Sequence, residues 1–556
     1  MLTEVPSDTA ILIDPAVRGV GLDVGDLVTA LRALEAGRTA LVPGLTRHPE
    51  LLAAAVRGTG LRKAVVVATE IGCPTVSELR TWGEAIGLDP LGVQVVALDI
   101  LTAGRTADER PAYAVRMVRA AVASLSASGV AEAARRPVGA SLSRRALLSG
   151  RATTWVPVVR VDAAACVGTA RCERCVQACP EGALHLQVDS PGAPPVLDVS
   201  RCQACSGCLD ACPSGALSLY GHDPGVLVQQ LRALLQAEDG ATAPALVISC
   251  QSAAEPLHRL GERNGLPGWL VLELTCLGAV GSAWHLGALA AGAVTVQILP
   301  CARCRDRLSL TEGVDFTRDL LTALGDPDAS RRVGVLPARE PQLRRALSAS
   351  GGRTPIVSGT APCGIPEPDT IRTAAQVAAW AISQLQSALG SAPAGMTTGL
   401  APPRDLVAPP RDLVAPPYNA EALPRMVLGQ GAPLGVLRAA GGCTACGVCA
   451  RTCPTRALSQ TTEAGITSLV LDPAACTGCG LCVQTCPEGV LDVVPGVDLN
   501  LLDGGPAPII RVTATTCPDC GDTVLALPAG ANLRPLPAEL AGRCPRCRQA
   551  ALLAQG

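Results

Sequence analysis

The sequence predicts a multidomain chain of mixed α/β and α+β class. Two α/β parallel-sheet domains alternate with two small cysteine-rich modules, and a cysteine knuckle domain closes the chain. Three observations carry this expectation: two regions alternate short apolar runs with helical segments, most of the 26 cysteines cluster two or three residues apart, and the last four form two C-P-x-C turns. The 556 residues leave room for several domains of about 100–200 residues each. Hydrophobic residues make up 48% and charged residues 17%, which excludes disorder over most of the length. A formal net charge of -2 gives no basic surplus to hold a phosphate backbone, so nucleic acid is not an expected partner.

In chain order, residues 1–125 place strands at Ala10–Ile13, Thr39–Val42, Lys63–Ala68 and Val93–Leu98, with helices at Asp26–Ala36 and Ala112–Ala123. That alternation builds a mainly parallel sheet. Residues 126–155 are a polar linker holding Arg144-Arg145, which lies too far into the chain for an export signal. A first cysteine module fills 156–224, a second α/β domain 225–388, and a Pro-rich linker 389–425, where Ala401–Val407 recurs as Ala408–Val414. Paired prolines make that linker a semi-rigid spacer. A second cysteine module spans 426–500 and the knuckle domain 501–556.

Leu274–Pro300 carries no Asp, Glu, Lys or Arg and exceeds the roughly 20 residues a spanning helix needs. Its glycines, and the strand-like Ala293–Leu299, point instead to a buried helix followed by a buried parallel strand, with no membrane span. Clustered thiols without a signal-peptide pattern point to a reducing compartment, the cytoplasm.

The cysteine modules carry the strongest motifs. Cys202, Cys205, Cys208 and Cys212-Pro213 follow C-x2-C-x2-C-x3-C-P; so do Cys443, Cys446, Cys449 and Cys453-Pro454, and Cys476, Cys479, Cys482 and Cys486-Pro487. This is the bacterial ferredoxin run for [4Fe–4S] clusters, in which three thiolates come from one short loop and the fourth leaves toward a neighbouring cluster. Cys166, Cys172, Cys175 and Cys179-Pro180 form a fourth copy with five residues between the first two cysteines. A loop of that length closes easily, so a full cubane is expected; a three-iron cluster or another fourth ligand is the alternative. The separation from Cys179 to Cys202 equals that from Cys453 to Cys476, so the two modules are copies of one unit.

Both modules resemble two-[4Fe–4S] ferredoxin domains. That resemblance implies that each fourth cysteine serves the other run's cluster. Cys212 would then join Cys166, Cys172 and Cys175, and Cys179 would join Cys202, Cys205 and Cys208. Likewise Cys486 would join Cys443, Cys446 and Cys449, and Cys453 would join Cys476, Cys479 and Cys482. The chain would hold four cubanes.

Between the modules, Cys250, Cys276 and the pair Cys301/Cys304 each follow a strand-like run. Parallel sheets bind ligands beyond the carboxyl ends of their strands, so three strands would bring four thiols to one rim, a site for a [2Fe–2S] cluster. Buried apolar cysteines are the plainer reading of Cys250 and Cys276 taken alone. Cys363 is left unassigned, and Cys73 reads as a buried thiol. Residues 243–350 resemble the hydrogenase iron-sulfur (delta) subunit family through Cys250, Leu274-Thr-Cys276-Leu-Gly-Ala, Ala290-Ala-Gly-Ala-Val and Leu299-Pro-Cys301. The chain departs from that family at Gln251-Ser-Ala-Ala, where a second cysteine is usual. The N-terminal region is similar to the amino-terminal part of the flavin-bearing heterodisulfide reductase component through Leu41-Val-Pro-Gly, Pro49-Glu-Leu-Leu and Arg105–Ala120.

Cys517-Pro-Asp-Cys520 and Cys544-Pro-Arg-Cys547 suit one tetrahedral zinc ion in a zinc-ribbon arrangement; a rubredoxin-type iron is the alternative. The five histidines are scattered, no catalytic residue stands out, and Gly19-Val-Gly21 lacks the third glycine of a dinucleotide loop.

Together these features point to an electron-transfer subunit rather than a stand-alone catalyst. By resemblance, its partners are hydrogenase or dehydrogenase subunits and heterodisulfide-reductase-like subunits. The competing expectations are an oxidoreductase that itself reduces a disulfide or small substrate, and a redox-sensing regulatory protein.

Overall fold

The computed structural model describes residues 9–32, 39–44, 49–56, 59–68, 83–85, 87–89, 91–98, 106, 109–127, 133–137, 153–187, 190, 192–235, 243–264, 266, 268–305, 308–349, 354–357, 370–390, 425–440, 443, 445–463, 466–525, 540 and 543–554. Cys73, Cys363, Arg144-Arg145 and the 401–414 repeat lie outside these residues. The chain divides into two compact units, 1–390 and 391–556.

In the first unit, strands β1 (Thr9–Ile13), β2 (Thr39–Leu41), β3 (Lys63–Ala68) and β4 (Val93–Ala97) form a parallel sheet in the order β2-β1-β3-β4. The runs of β1 and β3 are apolar on both faces because both faces are covered. Ile11, Ile13, Val65 and Val67 meet the helices Val24–Arg32 and Glu109–Ala127, while Ala10, Leu12, Ala64 and Val66 pack with Val56 and Leu61 opposite. Lys63 is the chain's one lysine, and its Nζ donates to the carbonyl of Leu125 at 2.8 Å near the end of the Glu109–Ala127 helix. A cation suits that carbonyl-rich end.

From the expected 126–155 linker into the first cysteine module, β5 (Ala133–Pro137) pairs antiparallel with β6 (Thr153–Pro157). In the first cysteine module, β7 (Arg160–Val161) pairs with β10 (Leu217–Ser218), and β8 (Leu184–His185) with β9 (Val196–Leu197).

The second sheet joins β11 (Ala245–Cys250), β12 (Trp269–Leu274), β13 (Val296–Leu299) and β14 (Val333–Val335) in parallel, ordered β12-β11-β13-β14. Its strand order repeats that of the first sheet, with a switch point between β11 and β13. The charge-free stretch resolves into the wholly buried helix Ser282–Ala290 and β13. Among the described residues, no helix is long and apolar enough to cross a membrane. The helices Glu109–Ala127 and Pro224–Leu235 pack together, and the Tyr113 hydroxyl donates to the Trp269 carbonyl across the two α/β layers.

In the second unit, β15 (Met426–Leu428), β16 (Gly435–Ala439) and β19 (Leu491–Asp498) form one sheet. A second sheet joins β17 (Leu458–Glu463), β18 (Ile466–Leu471), β20 (Ala507–Thr516) and β21 (Thr523–Leu525). Because β20 pairs antiparallel with β18, this sheet runs across the expected boundary at 500/501. The β-branched runs Ile466–Leu471 and Ile509–Thr513 favour such pairing, and the knuckles grow directly from the second cysteine module.

Candidate iron–sulfur and metal centres

Three of the four ferredoxin-type runs share one backbone conformation. Two residues of each loop take left-handed φ: Ala204 and Ser206 at 50° and 61°, Ala445 and Gly447 at 48° and 71°, Gly478 and Gly480 at 63° and 77°. Such turns curl a chain so that backbone N–H groups face inward, a cradle for an anionic group. A short helix then carries the third cysteine, as in Gly207–Ala211, Val448–Thr452 and Leu481–Gln484. The fourth cysteine follows at or just past its end.

The longer fourth copy closes differently. Gly168 takes φ 83° and its carbonyl accepts from Cys172 N at 3.1 Å. A Cβ at Gly168 would stand 2.5 Å from the carbonyl oxygen of Gly192. The Val167–Arg171 insertion is thus a compact turn, and Cys166 is held by its own N–H to Asp162 O at 3.0 Å.

The thiols gather in crossed sets. Burial, then Cys212, Cys172 and Cys166, push Cys175 up to about 12. Burial, then Cys205, Cys202, Cys175 and Cys179, also raise Cys208. In the second module, burial holds Cys449 at about 11, with Cys443, Cys446 and Cys486 adding to the rise. Cys482 reaches about 12 through burial and its neighbours Cys476, Cys479, Cys453 and Cys449. The third thiol of each run thus has the other run's fourth cysteine among its neighbours, and Cys208 and Cys482 also neighbour the other run's third cysteine. Buried thiols this crowded resist ionisation, and a bound metal reverses that preference. Backbone N–H groups already point at sulfur: Ala183 N donates to Cys179 Sγ at 3.1 Å and Ala445 N to Cys443 Sγ at 3.3 Å. Cys443, Cys446, Cys449 and Cys486 line one pocket, bordered by Gln460 and Pro487. The donor set fits a cubane. Cys446 is the exposed thiol among these sixteen cysteines.

The second parallel sheet brings Cys250, Cys276, Cys301 and Cys304 to one rim. Cys250 ends β11, and Cys301 and Cys304 flank the turn after β13, so they sit either side of the switch point. The Sγ atoms of Cys250, Cys301 and Cys304 lie within 4.8 Å of one another. Cys276 Sγ stands 3.3 Å from Cys304 Sγ. Hydrogen bonds with Cys276 and Cys304, then burial, raise the Cys250 thiol.

This rim touches the first cysteine module. The buried Ser206 hydroxyl accepts from Ala279 N at 3.2 Å and donates to Cys205 O at 2.7 Å. Arg303, between Cys301 and Cys304, reaches Gln203 Oε1 at 3.5 Å. Ser206 stands where the corresponding loops carry Gly447 and Gly480. Sequence reasoning overlooked it, although a serine at a left-handed glycine position was the available signal.

At the C-terminus, the Sγ atoms of Cys517, Cys520, Cys544 and Cys547 all lie within 4.8 Å of one another, with Cys520 and Cys544 at 3.5 Å. Cys544 N donates to Cys517 Sγ at 3.3 Å, and that hydrogen bond is the main cause holding Cys517 down at about 6. Arg543 and Asp519 pair at 3.0 Å between the two knuckles. Four sulfurs at this spacing could hold one metal ion.

The model of the 4Fe-4S dicluster domain matches residues 165–216 and 442–490, one stretch in each cysteine module. No curated protein matches the chain. Two such domains support an iron–sulfur electron-transfer role.

Proposed function

We propose that this chain is the electron-transfer subunit of a cytoplasmic redox complex of hydrogenase or heterodisulfide-reductase type, relaying electrons through four [4Fe–4S] clusters. The observation that carries the reading is the pair of dicluster-domain matches, one in each cysteine module, with Cys443, Cys446, Cys449 and Cys486 lining one pocket in the second. When bound, the clusters supply the redox chemistry. The chain holds them close together and directs N–H groups at sulfur, which tunes potential. In the first unit the relay runs from the two clusters of the 166–212 module toward the four-thiol rim, which the Ser206 and Gln203 contacts hold against it. In the second unit the exposed Cys446 makes its cluster the natural point of exchange with a partner. The knuckle quartet would hold a structural zinc ion. The partner assignment rests on the family resemblance of residues 243–350.

The test is reduction under hydrogen by a catalytic amount of hydrogenase, followed by mixing with a heterodisulfide-reductase-type acceptor. The reading predicts uptake of about one electron per cubane and their transfer to that acceptor. Sustained disulfide reduction by the isolated chain, with dithionite as the electron source, would contradict it in favour of an oxidoreductase acting by itself.

A further inference from the structure

Three of the four thiols beyond β11, β12 and β13, those of Cys250, Cys301 and Cys304, stand closer together than a two-iron cluster permits. A [2Fe–2S] centre holds its thiolates in two pairs, one pair on each iron. Any three of the four therefore include both irons, and two of the three separations must span the whole Fe2S2 unit. Around one tetrahedral ion all separations are equal, about 3.8 Å for metal–sulfur bonds of about 2.3 Å.

Cys250, Cys301 and Cys304 place all three of their sulfurs within 4.8 Å of one another, and Cys276 closes on Cys304 at 3.3 Å. No partition of these sulfurs into two distant pairs is possible. The knuckle quartet gives an internal comparison: all four of its sulfurs fall within 4.8 Å, with a closest pair at 3.5 Å, whereas at the rim that spacing joins three sulfurs and Cys276 stands beside Cys304.

The scaffold makes the spacing a property of the fold. The pairing of β11 with β12 and β13 fixes Cys250 at the centre of the rim. Cys301 and Cys304 share one turn, in which Cys301 O accepts from Arg305 N at 2.9 Å, so their separation is set by a C-x2-C turn as in the knuckles. Cys250, Cys276 and Cys304 are 1%, 8% and 2% exposed, which leaves little room to splay apart.

We infer that Cys250, Cys301 and Cys304, with Cys276 beside Cys304, hold a single thiophilic metal ion, and not a [2Fe–2S] cluster. The inference refines the rim within the proposed relay. An iron ion there would extend the relay by one electron carrier, whereas a zinc ion would brace the contact with the first cysteine module.

The test counts metal and acid-labile sulfide in the full chain, purified anaerobically. Cys301 is only half-buried, so Cys301→Ser is the mildest lesion. The variant is expected to lose about one metal ion and no labile sulfide, with the cubane EPR signals of the dithionite-reduced chain unchanged. The identity of the lost ion separates zinc from iron. Loss of about two irons with two sulfides would overturn the inference, and so would loss of no metal.

If the variant fails to fold, the wild-type sulfide count still decides. About 16 sulfides per chain agree with a mononuclear rim, and about 18 overturn it. A count near eight or below would instead overturn the four-cubane relay, so the two failures are distinguishable.

Discussion

The hydroxyl of Ser206 and the amide of Ala279 meet at 3.2 Å, joining a cubane-type loop to the loop that follows Cys276. Ser206 holds φ 61°, a conformation that costs a side-chain-bearing residue about 1 kcal/mol. Its two hydrogen bonds, one to the Cys205 carbonyl and one from Ala279, offset that cost. Ser206→Gly relieves the backbone strain but loses both bonds, whereas Ser206→Ala keeps the strain and loses them too. Thermal unfolding of the loaded chain should therefore rank the alanine variant below the glycine variant. Hydrogen exchange should quicken at the Ala279 amide in both, and an unchanged rate there would show that the bond does not couple the loops.

Gly168 sets the turn that brings Cys166 to its three partners. A methyl group at this position meets a backbone oxygen at 2.5 Å, and φ 83° is itself unfavourable for alanine. Gly168→Ala should lower iron content by up to about four atoms per chain, with the second module's EPR signals unaffected. Full iron retention would mean that Cys166 is not held by this turn.

Arg456 also takes left-handed φ, at 58°, in the turn after Cys453-Pro454, where Gly182, Gly215 and Gly489 occupy the matching places. Arg456→Gly should stabilise the second unit by up to about 1 kcal/mol. A melting temperature that falls would reveal a contact of the arginine side chain that outweighs the strain.

The knuckles should lose their ion independently of the cubanes. Cys544 N donates to Cys517 Sγ, and the Cys544 sulfur lies 3.5 Å from that of Cys520. Cys544→Ser should remove about one zinc per chain and leave iron and sulfide unchanged. Iron loss in place of zinc would identify the rubredoxin-type alternative.

Much of this architecture is legible in the residues. The Lys63–Ala68 strand falls where its unbroken apolar run puts it, because a parallel strand buried on both faces needs no alternation. The four thiols of the second sheet were findable because strand order brings carboxyl ends to one rim. Their spacing was not, since ligand count alone does not set sulfur–sulfur distances. The pairing of β18 with β20 was equally hidden, because long-range register leaves little trace in local pattern. Ser206 shows the same limit in its partner: a serine at a glycine position hints at the left-handed φ, but Ala279 lies 73 residues away.

Native mass spectrometry of the anaerobically purified chain tests the central claim most directly. The account predicts a mass above the bare polypeptide equal to four [4Fe–4S] clusters and two single metal ions. A mass increment equal to two clusters or fewer would contradict it.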